Sequence, residues 1–308
     1  MTAPTVRTVL GDVPASSLGF TLGHEHLFTR PPADVTDPDL RMDSEAAAIQ
    51  EAGDFRAAGG GAIVEMTTVD YGRDAAALAR ISWASGVHVV AATGYNKGTF
   101  ADRMTAGRSV AEIAALMAAE VRSGIEGGPV RAGLIKASSS LGGPNSEERK
   151  VLEAAVEAHH ATGAPIGTHT EKGTWGLEQA EFFLAGGVPP GKVLIGHLDL
   201  KPDLSSLLEV AATGVNLGLD QFSKEKYLPD LERVRLVAAL VEAGHGRQVI
   251  VGGDLARRSY WRAYGGGPGL GFIPGRVVPL MNEHGLGATA IHEIMVEAPR
   301  RWLAFEPH

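Results

Sequence analysis

The 308-residue chain contains no cysteine. Disulfides and thiolate metal ligands are therefore both excluded. Any metal site must use His, Asp, Glu or a modified Lys, which suits harder divalent ions. No run of basic residues is long enough to follow a phosphate backbone, and the formal net charge is -8. Nucleic acid is not an expected partner. No apolar stretch reaches the roughly 20 residues of a membrane-spanning helix. The opening MTAPTVRTVLGDVP has no basic region followed by an apolar one, so no signal peptide is expected. A cytoplasmic enzyme acting on a small molecule, with no membrane partner, is the expectation.

Long linkers are missing too. Gly59 to Gly61 and Gly265 to Gly267 are short glycine runs and read as loops. One domain spanning 1–308 is expected, a length typical of single α/β barrels. Hydrophobic residues make up 44% and charged residues 21%, the balance of an ordinary globular protein with a large core.

What is present is an alternation. Eight short apolar runs recur: Gly19 to His26, Ala62 to Thr68, Val87 to Tyr95, Val130 to Ser138, Pro165 to Thr170, Val193 to Asp199, Gly214 to Phe222 and Gln248 to Ala256. Near-continuous apolar character is expected of parallel strands covered on both faces. Between them lie segments of helical period. Ser146 to Thr162 is the clearest, opening on Ser-Glu-Glu and stopping at Gly163. Leu204 to Ala212 and Leu231 to Ala243 behave alike. Eight strand-then-helix units predict a (β/α)8 TIM barrel of the α/β class. An open doubly wound sheet is the alternative, but no G-x-G-x-x-G follows the first run.

In such a barrel the active site lies at the C-terminal ends of the strands. The first run ends in His24-x-His26. Later runs end at or near Lys136, His169, His197 and Asp254, and others at Thr67-Thr68, Tyr95 and Asp220. Residues two apart on a strand share a face, so His24 and His26 can converge on one ion. They equally fit two polar residues leaving a strand. Asp254 can ligate a metal and act as a general base, or simply cap the next helix. Lys136 closes the run AGLIK, where a bare cation would be costly to bury. It either pairs with an acid, reaches solvent, or is carboxylated by carbon dioxide and so becomes an anionic ligand able to bridge two ions. With the four histidines and Asp254, that suffices for a two-metal centre. His88 starts a strand, at the wrong end. His159, His160, His245, His284, His292 and His308 lie in helical or loop segments and read as solvated or satisfied side chains.

Taken together, these residues resemble the phosphotriesterase family of the amidohydrolase superfamily. The matching segments are TLGHEH (21–26), AGLIKAS (132–138), GTHTEKGT (167–174), IGHLD (195–199) and GGDLARRSYWRAYGGGPG (252–269). They occur in the family's order and span nearly the whole chain. The resemblance implies that His24, His26 and Asp254 bind the more buried metal. It implies His169 and His197 for the more exposed one, with Lys136, N6-carboxylated, bridging both. It further implies a bridging hydroxide as nucleophile, with Asp254 taking its proton. Zinc is the expected metal, and manganese, cobalt or iron would also accept these ligands.

Substrate choice rests on other residues. The family's acyl-homoserine lactonases carry Asp-Arg where this chain has Asp220-Gln221, which argues against that activity. After the seventh run come Lys224 and Lys226, and after the eighth Arg257 and Arg258. Loops at these places hold phosphate in many barrels, so all four are candidate substrate ligands. Tyr95 is a candidate catalytic and substrate-binding residue, or a packed aromatic. Lys97 and Lys172 can add positive charge. The leading expectation is a lactonase for a sugar lactone, phosphorylated or not. An amide hydrolase or phosphotriesterase on the same site is the alternative, and a silent binding protein on the fold is a third. A homodimer is the expected assembly.

Overall fold

The computed structural model describes residues 4–305. An antiparallel hairpin, β1 (Thr5–Thr8) and β2 (Gly11–Pro14), comes first. Eight parallel strands follow: β3 (Phe20–Glu25), β4 (Gly60–Glu65), β5 (His88–Gly94), β6 (Leu134–Ser139), β7 (Ile166–Thr170), β8 (Val193–Ile195), β9 (Asn216–Leu219) and β10 (Val249–Val251). Each pairs with the next in chain order. Six fall inside the apolar runs, β4 starts two residues before its run and β6 ends one residue after its run, so the barrel expectation holds.

Helices separate the strands: α1 (Glu45–Ala57), α2 (Ala75–Ser85), α3 (Thr99–Thr105), α4 (Val110–Arg122), α5 (Ser146–Thr162), α6 (Gly176–Ala185), α7 (Leu204–Ala212) and α8 (Asp230–Glu242). Beyond β10 come α9 (Val278–Glu283), α10 (Ala288–His292) and α11 (Ala298–Leu303). α5 starts where the helical period predicts, but its cap is one residue earlier. The Asn145 side chain accepts from Glu148 N at 2.8 Å, and the Glu148 carboxylate returns to Asn145 N at 2.7 Å. Losing such a cap costs about 1 kcal/mol. Among the described residues no helix is long and apolar enough to cross a membrane.

Side-chain alternation splits the core in two. Ile63, Val89, Ala91, Ile135 and Val249 point outward and bury against the helices. Ala62, Val64, Val90, Ala92, Leu134, Leu194 and Ile250 point inward. Val6, Leu18, Trp302 and Leu303 plug the lower end of that interior. The Trp302 indole N–H bonds to Ile166 O at 3.1 Å. Apolar packing thus fills the barrel from below, and polar groups collect only above it.

The ring closes between β10 and β3 through close backbone approach. A Cβ on Gly23 would stand 2.2 Å from Ile250 Cγ2, and one on Gly252 would stand 2.9 Å from His24 N. Only glycine fits at these contacts. Asp254 N then donates to His24 O at 3.0 Å.

Candidate metal centre

The upper layer gathers residues from six strand ends. Lys136 follows Leu134 by two, so it shares the inward face. Its Nζ donates to Met66 O at 2.8 Å, and the residue is buried. His24 and His26 leave β3 where its register against β4 shifts. Both turn toward Asp254: Nε2 of His26 lies 3.2 Å from Oδ1, and Nε2 of His24 lies 3.9 Å away. The His24 ring centroid is 4.6 Å from that of His197, which is 4.4 Å from that of His169. The structure therefore brings His24, His26, His169, His197 and Asp254 close together, with Lys136 near enough to act electrostatically on His24, His26 and His169.

Neighbours set the ring orientations. Thr67 Oγ1 holds Nδ1 of His26 at 2.8 Å. Asp220 Oδ1 holds Nδ1 of His197 at 2.6 Å. In both rings Nε2 is left facing inward. Glu171 sits 3.4 Å from Nε2 of His169 and is itself contacted by Lys97. Partners of this kind fix tautomers and orient ligand rings.

The electrostatics favour a bound cation. Burial pushes His24 down to about 4 and His169 well below the usual imidazole value, so both rings are neutral. Burial would raise Asp254, but Lys224 and His26 outweigh it and hold the carboxyl well below its ordinary range. Burial also lowers Lys136, against the pull of Asp254, Asp70 and Glu65. A neutral amine is the form that adds carbon dioxide.

The donor set fits a metal. His24, His26 and Asp254 each offer one ligand atom within 4.8 Å of the others, and so do His24, His197 and Asp220. Nε2 of His24 is buried without a hydrogen-bond partner, while its Nδ1 stands 3.0 Å from Oδ2 of Asp220. Orphaned buried acceptors of this kind are costly unless something fills their coordination.

A cavity of about 430 Å³ opens on this cluster, reaching His169, His197, Gln221 and Asp254, with Lys226, Arg257 and Tyr260 toward its mouth. A larger cavity of about 800 Å³ lies at the opposite end of the barrel, lined by Pro4, Pro14, Lys192 and Phe305. It holds none of the ligand cluster.

Residues 4–303 match the Phosphotriesterase family. The chain belongs to that family. Among its relatives is a phosphotriesterase homology protein of Escherichia coli, 34% identical over 285 residues, covering 92% of this chain and 97% of that one. A phospho-furanose lactonase of Mycoplasmopsis synoviae is 34% identical over 323 residues, covering 97% of this chain and 92% of that one. The crystal structure of a lactonase from Listeria monocytogenes superposes with a TM-score of 0.94 at 33% identity, covering 98% of this chain and 99% of that one. As a member of the phosphotriesterase family, the protein is a metal-dependent hydrolase.

Three expectations need correction. Tyr95 does not reach the cluster. It has the outward parity of Val89, Ala91 and Thr93, and lines a separate cavity of about 360 Å³ with Met104, Arg108 and Glu120. Burial there pushes its hydroxyl up. Arg258 is turned away from the cavity, with its guanidinium on Arg41 O and Asp43. Lys224 lines the same cavity, but it is buried and its Nζ is bonded to Gln221 and Asp254. Arg257 does line the cavity but is paired with Asp37 at 2.7 Å and Asp39 at 3.3 Å.

Sequence reading also missed residues. Asp220 was visible only as a polar strand end; its bridging place between His24 and His197 depends on barrel closure. Glu25, inside the His24-Glu25-His26 tripeptide, accepts from Gly253 N at 2.7 Å and Leu255 N at 2.9 Å, on either side of Asp254. Glu65 contacts Leu27 N and accepts from Thr67 N at 3.1 Å, bracing His26 and its partner. His308 lies outside the described residues.

Proposed function

We propose that the enzyme is a binuclear metallohydrolase that opens a lactone ring, with phosphorylated sugar lactones as its substrate class. The observation that carries this reading is a juxtaposition. One cavity is lined by His169, His197 and Asp254 of the cluster and by Lys226, Arg257 and Tyr260 toward its mouth.

In this reading His24, His26 and Asp254 would hold one ion, His169 and His197 would hold the other, and Lys136, once carboxylated, would supply a further anionic ligand. Zinc is the favoured metal. Two divalent ions bound there would lower the pKa of a water and polarise the scissile carbonyl. Asp254, kept ionised, accepts the proton released as the water oxygen adds to the lactone carbonyl. The ring C–O bond then breaks, and the departing ring oxygen takes a proton to give the hydroxy acid. Asp220 holds the His197 ring in orientation throughout.

The mouth supplies the substrate handle. Lys226 Nζ lies 4.8 Å from the Tyr227 ring centroid and 5.6 Å from that of Tyr260. Arg suits bidentate contact with phosphate, and Lys adds a point charge. An anion entering here competes with Asp37 and Asp39 for Arg257. The relative named as a phospho-furanose lactonase supports the same class. So does the crystal structure of the Escherichia coli homology protein complexed with phosphate in its active site (34% identity, TM-score 0.90, covering 93% of this chain and 99% of that one).

The test compares bonds. Metal-loaded enzyme is assayed on aldonolactones with and without phosphate, on N-acyl amides, and on phosphotriesters. Lactones are expected to be turned over with the highest kcat/KM. Faster hydrolysis of an amide would move the assignment to that bond.

A further inference from the structure

We propose that Lys224 is a positioning residue that divides the Asp254 carboxylate, keeping one oxygen for the metal side and occupying the other. The proposal rests on the assignment of Asp254 as a ligand and proton acceptor.

Lys224 follows β9 and is almost fully buried. A lysine ammonium has three N–H donors. Here Nζ contacts three acceptors: Gln221 Oε1 at 2.8 Å, Asp254 O at 2.7 Å and Asp254 Oδ2 at 2.7 Å. None is left for a substrate phosphate. Gln221 Nε2 adds a second bond to the same oxygen, Oδ2, at 2.8 Å. Oδ1 is left toward Nε2 of His26 and His24.

The backbone at this point needs such support. Asp254 has φ +46°, a left-handed conformation uncommon for a side chain other than glycine. Glu25 holds the amides on either side of it, and His24 O accepts from its own amide. The main chain is fixed from the β3 side and the carboxylate from the β9 side. Lys224 is the only cation bonded to that carboxylate among the described residues. Removing it strips Oδ2 of its charged donor and leaves only the neutral Gln221 amide to hold that oxygen away from the imidazoles.

The experiment uses the full chain as wild type, K224M and K224R. Zinc affinity of the metal-free proteins is measured by competition with a chromogenic chelator, with no substrate present. kcat and KM are then measured on a phosphorylated lactone and its unphosphorylated counterpart. K224M is expected to bind zinc about 10- to 100-fold more weakly, the usual effect of losing a group that orients a ligand. Its kcat should fall on both lactones by a similar factor, and K224R should recover part of both losses. Wild-type zinc affinity in K224M would overturn the proposal. So would a defect confined to KM for the phosphorylated lactone, which would make Lys224 a substrate ligand. If K224M does not fold, K224Q keeps one donor for Oδ2 without the charge and carries the same comparison. Should the wild type open no lactone, the lactonase reading fails while zinc affinity still decides the role of Lys224.

Discussion

Asp220 and His197 meet across the gap between β9 and β8, with carboxylate Oδ1 2.6 Å from imidazole Nδ1. Both are buried. Burial alone would raise the Asp220 carboxyl, but His197 and His24 outweigh it and hold it far below the ordinary range. The pair is a preformed brace for the His197 ring, which the proposed function assigns to a metal. D220N removes the anion while keeping the size. It should weaken zinc binding about 10- to 100-fold with the fold intact, read by chelator competition alongside circular dichroism.

Tyr95 supplies the contrasting case. Its side chain faces the helix layer, where its hydroxyl touches no substrate. Y95F should change the activation barrier by less than about 0.4 kcal/mol, leaving kcat/KM within about twofold of wild type. A loss of two orders of magnitude would put the ring back in the active site.

Arg257 and Lys226 should discriminate between substrates. A charged hydrogen bond to phosphate contributes about 1.5–3 kcal/mol, or about 10- to 100-fold. R257M should raise KM for a phosphorylated lactone by that factor and leave the unphosphorylated lactone nearly unchanged. Paired Michaelis–Menten curves on the two substrates check this.

The amino-terminal hairpin gives a pH prediction. Asp12 accepts from Arg7 Nε at 2.8 Å. That hydrogen bond, opposed by partial burial, holds the Asp12 carboxyl below its usual value. A carboxyl with a depressed folded pKa stabilises above its unfolded pKa near ~3.9 and loses that contribution as pH falls through the folded value. The pair is partly exposed, so its worth is about 1 kcal/mol or less. D12N should lower Tm at pH 7 by about 2 °C and flatten the decline of Tm below about pH 4.

The fold was legible because its signal is local. Each of the eight strands overlaps one apolar run. The clustering of His24, His26, His169, His197 and Asp254 was legible too, since a barrel's strand ends share one rim. The hairpin β1–β2 was not read, for Gly11 to Pro14 is half exposed and carries no apolar run. Tyr95 was misplaced although its signal was there: inward Val90 and Ala92 put odd-numbered neighbours outside. The fates of Arg257 and Arg258 were hidden, because their acidic partners lie 215 to 220 residues away in sequence. Lys224 was misread for a similar reason. A basic loop looks the same whether its lysine faces solvent or a buried carboxylate 30 residues on.

We propose that lactone opening depends on two ions held by His24, His26, Lys136, His169, His197 and Asp254. The direct measurement is a titration of metal-free protein with zinc, in the presence of bicarbonate, while ring opening of a phosphorylated aldonolactone is followed. Activity should rise from the chelated baseline and reach a plateau at two ions per chain. Ring opening that is undiminished by chelation, or absent at every zinc loading, would contradict it.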